Sequence, residues 1–223
     1  MMQRRWRRAN TVLFVAIILI NGYIIATPFL PNLTYWWQRR GSNNAEKALT
    51  QRLIKPVKSA NNTSSSAQNT PNTPVPAEVF QADASHDGLI IPKMLLDTPL
   101  IEGPQSNSFK LLNKGAWRLP FASSPDNGGN TVIAGHRFSY TGPRGIFYFL
   151  NKLAPGDDIG LWYKGALYRY KVESTKTHAA TDTYVQEPTT DARLTLYTCT
   201  PLWNPTDRLV VVAKPITQAE EAP

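Results

Sequence analysis

The chain has 223 residues, is 42% hydrophobic and carries a formal charge of +8 at pH 7. That is enough for one packed domain with appended segments. The charge is uneven: residues 1–40 hold +6, residues 41–80 hold +2, and residues 81–223 balance to zero. The basicity belongs to the front of the chain, which argues against a basic nucleic-acid groove, and no nucleic-acid partner is expected. A single cysteine, Cys199, excludes an internal disulfide.

Residues 1–10 form an arginine-rich head. Val12–Leu30 is then a run of 19 residues without charge. A helix needs roughly 20 such residues to cross the hydrocarbon core of a bilayer. Pro28 is placed near its outer end, and Tyr35, Trp36 and Trp37 follow, as rings at a membrane interface do. The run is longer than the apolar part of a signal peptide and lacks a clear small-residue cleavage site, so residues 11–33 read as an uncleaved signal-anchor. Four arginines precede it and two follow, which orients the N-terminus to the cytoplasm and the rest outward. The expected location is the cell membrane, single-pass, with the catalytic domain extracellular.

Residues 34–82 read as a flexible stalk. Asn61–Pro76 is polar, punctuated by proline and free of aromatics, so it cannot bury enough surface to offset its chain entropy. A short helix is expected over Ala45–Val57. Residues 83–217 read as the folded domain and 218–223 as a tail.

Within the domain, Gly88–Met94 and Leu95–Ile101 read as two strands broken by proline, at edges or bulges. Asn107-Ser108 is expected to cap a short helix through Leu112. Pro125–Gly129 signals a turn. Thr131–Ala134 reads as a buried strand ending at Gly135-His136, and Gly145–Leu153 as a second short helix. Ile159–Tyr163, Lys164-Gly165 and Ala166–Val172 read as a hairpin. Arg193–Thr198 and Arg208–Ala213 are two further strands. Seven or eight short strands with one or two brief helices make a mainly β domain, an antiparallel or mixed barrel.

Cys199 closes an apolar strand just before Thr200-Pro201, where the chain opens into a loop. A lone thiol there is a candidate nucleophile, not only a buried small hydrophobe. His136 follows a buried strand and a glycine, so the fold holds its ring. His86 and His178 read as solvated loop residues. Arg208 opens a strand and is a candidate oxyanion donor. Arg193 enters the cysteine's own strand from the far end. Thr198 and Thr200, on either side of the thiol, are candidate substrate contacts, and residues 178–191 are where further contacts are expected. Asp182, Glu187 and Asp191 are a weak candidate for calcium; otherwise no metal and no cofactor is expected.

Thr195-Leu196-Tyr197-Thr198-Cys199 resembles the T-L-x-T-C signature of sortases, the membrane-anchored cysteine transpeptidases of bacterial surfaces. Ala134-Gly135-His136-Arg137, with Asp126–Ile133 before it, resembles their histidine segment, and Arg208-Leu209-Val210-Val211 their arginine strand. The resemblance spans Gly88 to Ile216. It implies an eight-stranded sortase-type β-barrel, with Cys199 as nucleophile, His136 as acid and base, and Arg208 as stabiliser of the substrate carbonyl. It implies cleavage of an LPxTG-like sorting signal through a thioester. Transfer to an amine, a cell-wall peptide or lipid-linked precursor, then anchors surface proteins to the wall. Thr200-Pro201 is more like the class C, D and E groups than class A. No Asp-Pro-aromatic lid segment precedes the first strand, which disfavours pilus polymerisation, kept as an alternative. An L,D-transpeptidase would show an S-x-G-C-x-R cysteine motif, which is absent. A tethered β-domain with a degenerate site, used for binding or structure, is the non-enzymatic alternative.

Overall fold

The computed structural model describes residues 2–26, 33, 35, 37, 43–55, 80–138, 145–202 and 204–216. Pro28, Trp36, the Asn61–Pro76 stretch and the 218–223 tail lie outside the described residues. Two compact units are present, Met1–Asn44 and Ala45–Pro223. The first contains helix α1, Met2–Ala26. Its apolar side chains, among them Val12, Leu13, Phe14, Leu19 and Ile25, are exposed. Among the described residues no helix is long and apolar enough to cross a membrane.

The second unit is a closed eight-stranded barrel. Its strands are β1 (Gly88–Ile91), β2 (Leu96–Ile101), β3 (Ala116–Arg118), β4 (Asn130–Ala134), β5 (Asp158–Tyr163), β6 (Ala166–Ala179), β7 (Arg193–Thr200) and β8 (Asp207–Pro215). Around the barrel they run β1-β2-β3-β4-β7-β8-β6-β5 and close on β1. The β2–β3 and β4–β7 pairs are parallel and the rest antiparallel. Of the antiparallel or mixed barrel expected from the strand count, the mixed one forms. Closure removes the edges to which the prolines were assigned. Pro92 instead opens a 3-10 turn, Pro92–Met94, and Pro99 stands just before the parallel pairing of β2 begins at Leu100.

Alternation of side chains along each strand fills the interior. Leu89 and Ile91 of β1, Ile133 of β4, Ile159 and Leu161 of β5, Leu194 and Leu196 of β7, and Val211 of β8 are completely buried. A second apolar layer lies outside. Helix α3, Ser108–Leu112, lays Leu111 and Leu112 on Trp117, Leu119, Val132 and Ala134, with Tyr197 beside them. The expected cap is corrected: Asn107 precedes α3 but makes no side-chain cap bond, because a 3-10 turn at Gln105–Asn107 already leads into the helix. The helix expected over Gly145–Leu153 is also corrected. Only a 3-10 turn forms, at Leu150–Lys152. Four successive side chains, Phe147, Tyr148, Phe149 and Leu150, are buried, a demand that one helical face does not meet.

The helix read within the stalk forms as α2, Asn43–Ile54. Its Ala45–Ile54 part belongs to the barrel unit, so this middle portion of residues 34–82 is packed and not free. Leu53, 1% exposed, meets Ala82, Ile90 and Trp162. Arg52 pairs with Asp97 at 2.6 Å and donates to the Ala82 carbonyl. Gly160 of β5 makes the room: a Cβ there would lie 2.2 Å from Leu53 Cδ2. Gly160→Val is expected to lift Leu53 out of its seat and cost about 1–3 kcal/mol, read as a lower midpoint in thermal unfolding. Leu53→Ala in the same background should then cost much less than it does alone.

Candidate active site

Three strand ends converge on one level of the barrel. β7 and β8 pair so that Cys199 lies directly opposite Arg208. Opposed residues of an antiparallel pair project from the same face. On the other side of β7, β4 runs parallel with Ala134 level with Tyr197. Two residues further along, that register sets His136 level with Cys199. Hydrogen bonds maintain it past the end of the ladder. Gly135 N donates to Tyr197 O at 3.3 Å, and Thr198 Oγ1 donates to Gly135 O at 2.7 Å. Arg137 Nη1 donates to Thr200 Oγ1. The sequence-derived trio is thus gathered at neighbouring strand ends, with Cys199 on β7, Arg208 on β8 and His136 two residues past the end of β4.

The chain also folds back on the histidine. Phe147 N donates to His136 O at 3.0 Å and Gly145 N to Arg137 O at 3.1 Å. The approach requires glycine, since a Cβ on Gly145 would lie 2.0 Å from the His136 carbonyl. The His136 ring stands edge-on to Phe109 of α3, with centroids 6.0 Å apart, and Phe109 is 75% exposed. Burial pushes the His136 imidazole below its ordinary value, because the cation loses solvation there. At neutral pH the ring is therefore a base.

Cys199 is exposed and free. Arg208 donates from Nη1 to Asp207 O at 3.0 Å, and among the described residues no carboxylate pairs with it. Its guanidinium can therefore meet a substrate oxygen. Tyr197, two residues before the thiol on the same face, is held protonated. Burial pushes its phenol up to about 12, with Arg208 opposing and Cys199 adding to that shift. Arg137 is half-buried and its Nε has no hydrogen-bond partner among the described residues. Desolvation lowers its basicity.

Several sequence assignments change. Thr198 is not placed to meet substrate: it is 2% exposed, faces the barrel interior with Leu209, and its hydroxyl is committed to Gly135. Thr200 is half-buried and holds Arg137. Asp182, Glu187 and Asp191 form no metal-binding group among the described residues. Asp191 is instead clasped by Arg193 at 2.6–2.7 Å, at the opposite end of β7 from the thiol. His86 lies in a surface turn and pairs with Asp83 at 2.9 Å, as expected. His178 is not a loop residue, because β6 runs on to Ala179 and sets it opposite Arg208. Asn130 was missed. Its Nδ2 donates to Val185 O and Glu187 O, at 3.1 and 3.0 Å, and Thr195 Oγ1 donates to its Oδ1. It ties the β6–β7 loop to the barrel; an amide opening a buried strand was the available signal.

A thiol, a neutral imidazole and a guanidinium with no carboxylate partner among the described residues, at adjacent strand ends on a closed mixed barrel, are the groups that acyl transfer on a cysteine needs. A family model of the sortase domain matches residues 89–216. The chain belongs to the sortase family, whose members are cysteine transpeptidases acting on surface proteins that bear sorting signals. It is similar to sortase C-1 from Actinomyces oris at 25% identity, covering 59% of this chain and 73% of that one, with a TM-score of 0.53. It resembles sortase C of Streptococcus pneumoniae at 30%, covering 58% and 65%, with a TM-score of 0.52. It resembles the Clostridium perfringens sortase D5 transpeptidase at 26%, covering 63% and 83%, also with 0.52. No curated protein sequence matches.

Proposed function

We propose that this protein is a membrane-anchored sortase that cleaves an LPxTG-like sorting signal and joins the new carboxyl end to an amine. The observation that carries the reading is the pairing of Cys199 with Arg208, with His136 two residues past the β4 end that runs beside β7. The neutral His136 imidazole takes the Cys199 proton as the sulfur adds to the scissile carbonyl carbon, and the Arg208 guanidinium stabilises the oxyanion. The C–N bond breaks, the leaving amine takes a proton from the His136 imidazolium, and a thioester remains. An incoming amine then adds to the thioester and His136 takes its proton; the C–S bond breaks, and His136 passes that proton to the leaving sulfur, restoring the thiol and the neutral ring.

Residues 1–10 form the cytoplasmic head, 11–33 the anchor, 34–82 the extracellular connection and 83–217 the catalytic domain, with 218–223 a tail. Support for the anchor comes from the exposed apolar side chains of α1 and the arginines before them. Surface proteins with sorting signals are the donor partners, and a cell-wall peptide or lipid-linked precursor the acceptor. A pilin-polymerising role is the second reading. It is favoured by the likeness to class C enzymes, among them the Streptococcus pneumoniae sortase C with its pilin substrate specificity.

The test incubates the full chain in detergent with a library of sorting pentapeptides and a simple amine, and reads products by mass spectrometry. A peptide–amine product that depends on Cys199 supports the reading. No product and no adduct on Cys199 across the library rejects it. In the same assay Arg208→Ala is expected to lower kcat by about 10²–10³, the usual loss of an oxyanion donor. Near-parent turnover would remove Arg208 from that role.

A further inference from the structure

Strand β8 lies between β7 and β6, and Arg208 has a directly opposed residue on each: Cys199 on β7 and His178 on β6. Opposed side chains share a face, with Cβ atoms about 4.5–5.5 Å apart. The Arg208 side chain therefore leaves the sheet between the thiol and a second imidazole. His136 and His178 stand at the two ends of one row across β4, β7, β8 and β6.

We propose that His178 is a positioning residue for Arg208: as a neutral ring it bounds the guanidinium on the side away from Cys199, and as a cation it drives the guanidinium out of the row. This rests on the reading of Arg208 as the oxyanion donor.

The ring is held independently of Arg208. His178 Nδ1 lies 2.9 Å from the Tyr184 hydroxyl, and the two rings meet edge-on with centroids 5.5 Å apart. Its side chain is 18% exposed. Tyr184 belongs to the 3-10 turn Thr183–Gln186 of the β6–β7 loop, and Asn130 fastens that loop through the Val185 and Glu187 carbonyls. A side chain fixed by a loop that is itself fixed to the barrel makes a rigid boundary, which a positioning group requires.

The groups facing His178 set the sign of its effect. From the loop come Tyr184 and Asp182, the latter 3.9 Å from Nδ1. From β8 comes Arg208, and one strand further Cys199. On its own strand and face stands Lys176, opposite Val210. β6 pairs with β5 only as far as Lys171, so no described strand adjoins His178 on that side. A neutral His178 accepts from the Tyr184 hydroxyl at Nδ1. A protonated one donates there, is drawn toward Asp182, and sets a second cation beside Arg208. Falling pH therefore weakens the hold on the guanidinium.

The test uses the full chain in detergent with isotope-labelled histidine. The His178 ring resonances are read by NMR at pH 7.5 in the parent, in Arg208→Gln and in Arg208→Lys. They are expected to move in Arg208→Gln and to move less in Arg208→Lys, which keeps the charge. Unmoved resonances in Arg208→Gln overturn the proposal, whether or not the protein is active, because the two side chains would then not be neighbours. Kinetically, His178→Gln is expected to raise the ratio of kcat/KM at pH 5.5 to that at pH 7.5 by about threefold or more. His178→Lys should lower kcat at pH 7.5 about tenfold with a much smaller change in KM. A merely structural role would scale activity equally at both pH values. A parent-like pH ratio in His178→Gln with parent-like kcat in His178→Lys overturns the proposal. A parent that forms no Cys199 adduct rejects the sortase reading instead, and the ring resonances still decide the place of His178.

Discussion

Cys199→Ala is expected to abolish both peptide cleavage and the covalent adduct, with no residual turnover above buffer. The exposed thiol is the only one in the chain, so no neighbouring sulfur can replace it. An amide carbonyl is a poor electrophile, and direct attack by an amine is slow. The thioester divides that exchange into two easier steps, and without sulfur neither has a substitute. Intact-mass measurement after incubation with a sorting peptide reads the result directly. The parent gains the acyl mass and Cys199→Ala does not. The variant should keep the parent's thermal midpoint, because an exposed side chain at a strand end contributes little packing. An adduct that persists in Cys199→Ala would move the nucleophile to another residue.

His136→Ala is expected to lower kcat/KM by about 10²–10⁴, the usual range for a positioned acid–base group. Both half-reactions need it, one to protonate the leaving amine and one to deprotonate the incoming amine. The pH behaviour follows from burial. The folded-state pKa of His136 lies below its ordinary 6.5. Between 6.5 and the lower folded value, the unfolded chain binds more protons than the folded one, so stability falls as pH falls through that window. Above 6.5 this loss is absent. The drop in thermal midpoint from pH 7.5 to pH 5.5 should therefore be smaller in His136→Gln than in the parent. An equal drop in both would place the acid sensitivity elsewhere.

α2 also bears on how a soluble form is made. A version beginning near residue 81 removes Leu53 and Arg52 and exposes Ala82, Ile90 and Trp162. A version beginning before Asn43 retains that contact.

The candidate trio was legible because each member follows or opens a short apolar run. Leu194–Thr198, Thr131–Ala134 and Leu209–Ala213 are β-branched and apolar enough to announce strands, and the residues at their ends inherit a fixed position. The hairpin at Lys164-Gly165 announces itself through turn chemistry. Other features carry no such local mark. The end of β6, Thr175-Lys176-Thr177-His178, is polar because its outer face meets solvent and loop, so His178 read as a loop residue. Thr198 read as a substrate contact because sequence adjacency to Cys199 conceals that alternate residues of a strand face opposite ways. Within Gly145–Leu153 the Ile146–Leu150 stretch is apolar all round, and periodicity alone does not distinguish a helix from turns wrapped against a barrel.

The amino-acid sequence by itself pointed to seven of the eight strands, though not to β3 or the far end of β6, to the mainly β class and to the three residues of the candidate site, because strand propensity and turn chemistry are local. Only the tertiary structure decided what stands beside what. Register across β4, β7, β8 and β6 set His136, Cys199, Arg208 and His178 in one row, and closure of β5 on β1 made Gly160 the seat of Leu53. Those relations join residues tens of positions apart, and long-range pairing, not local preference, brings them together.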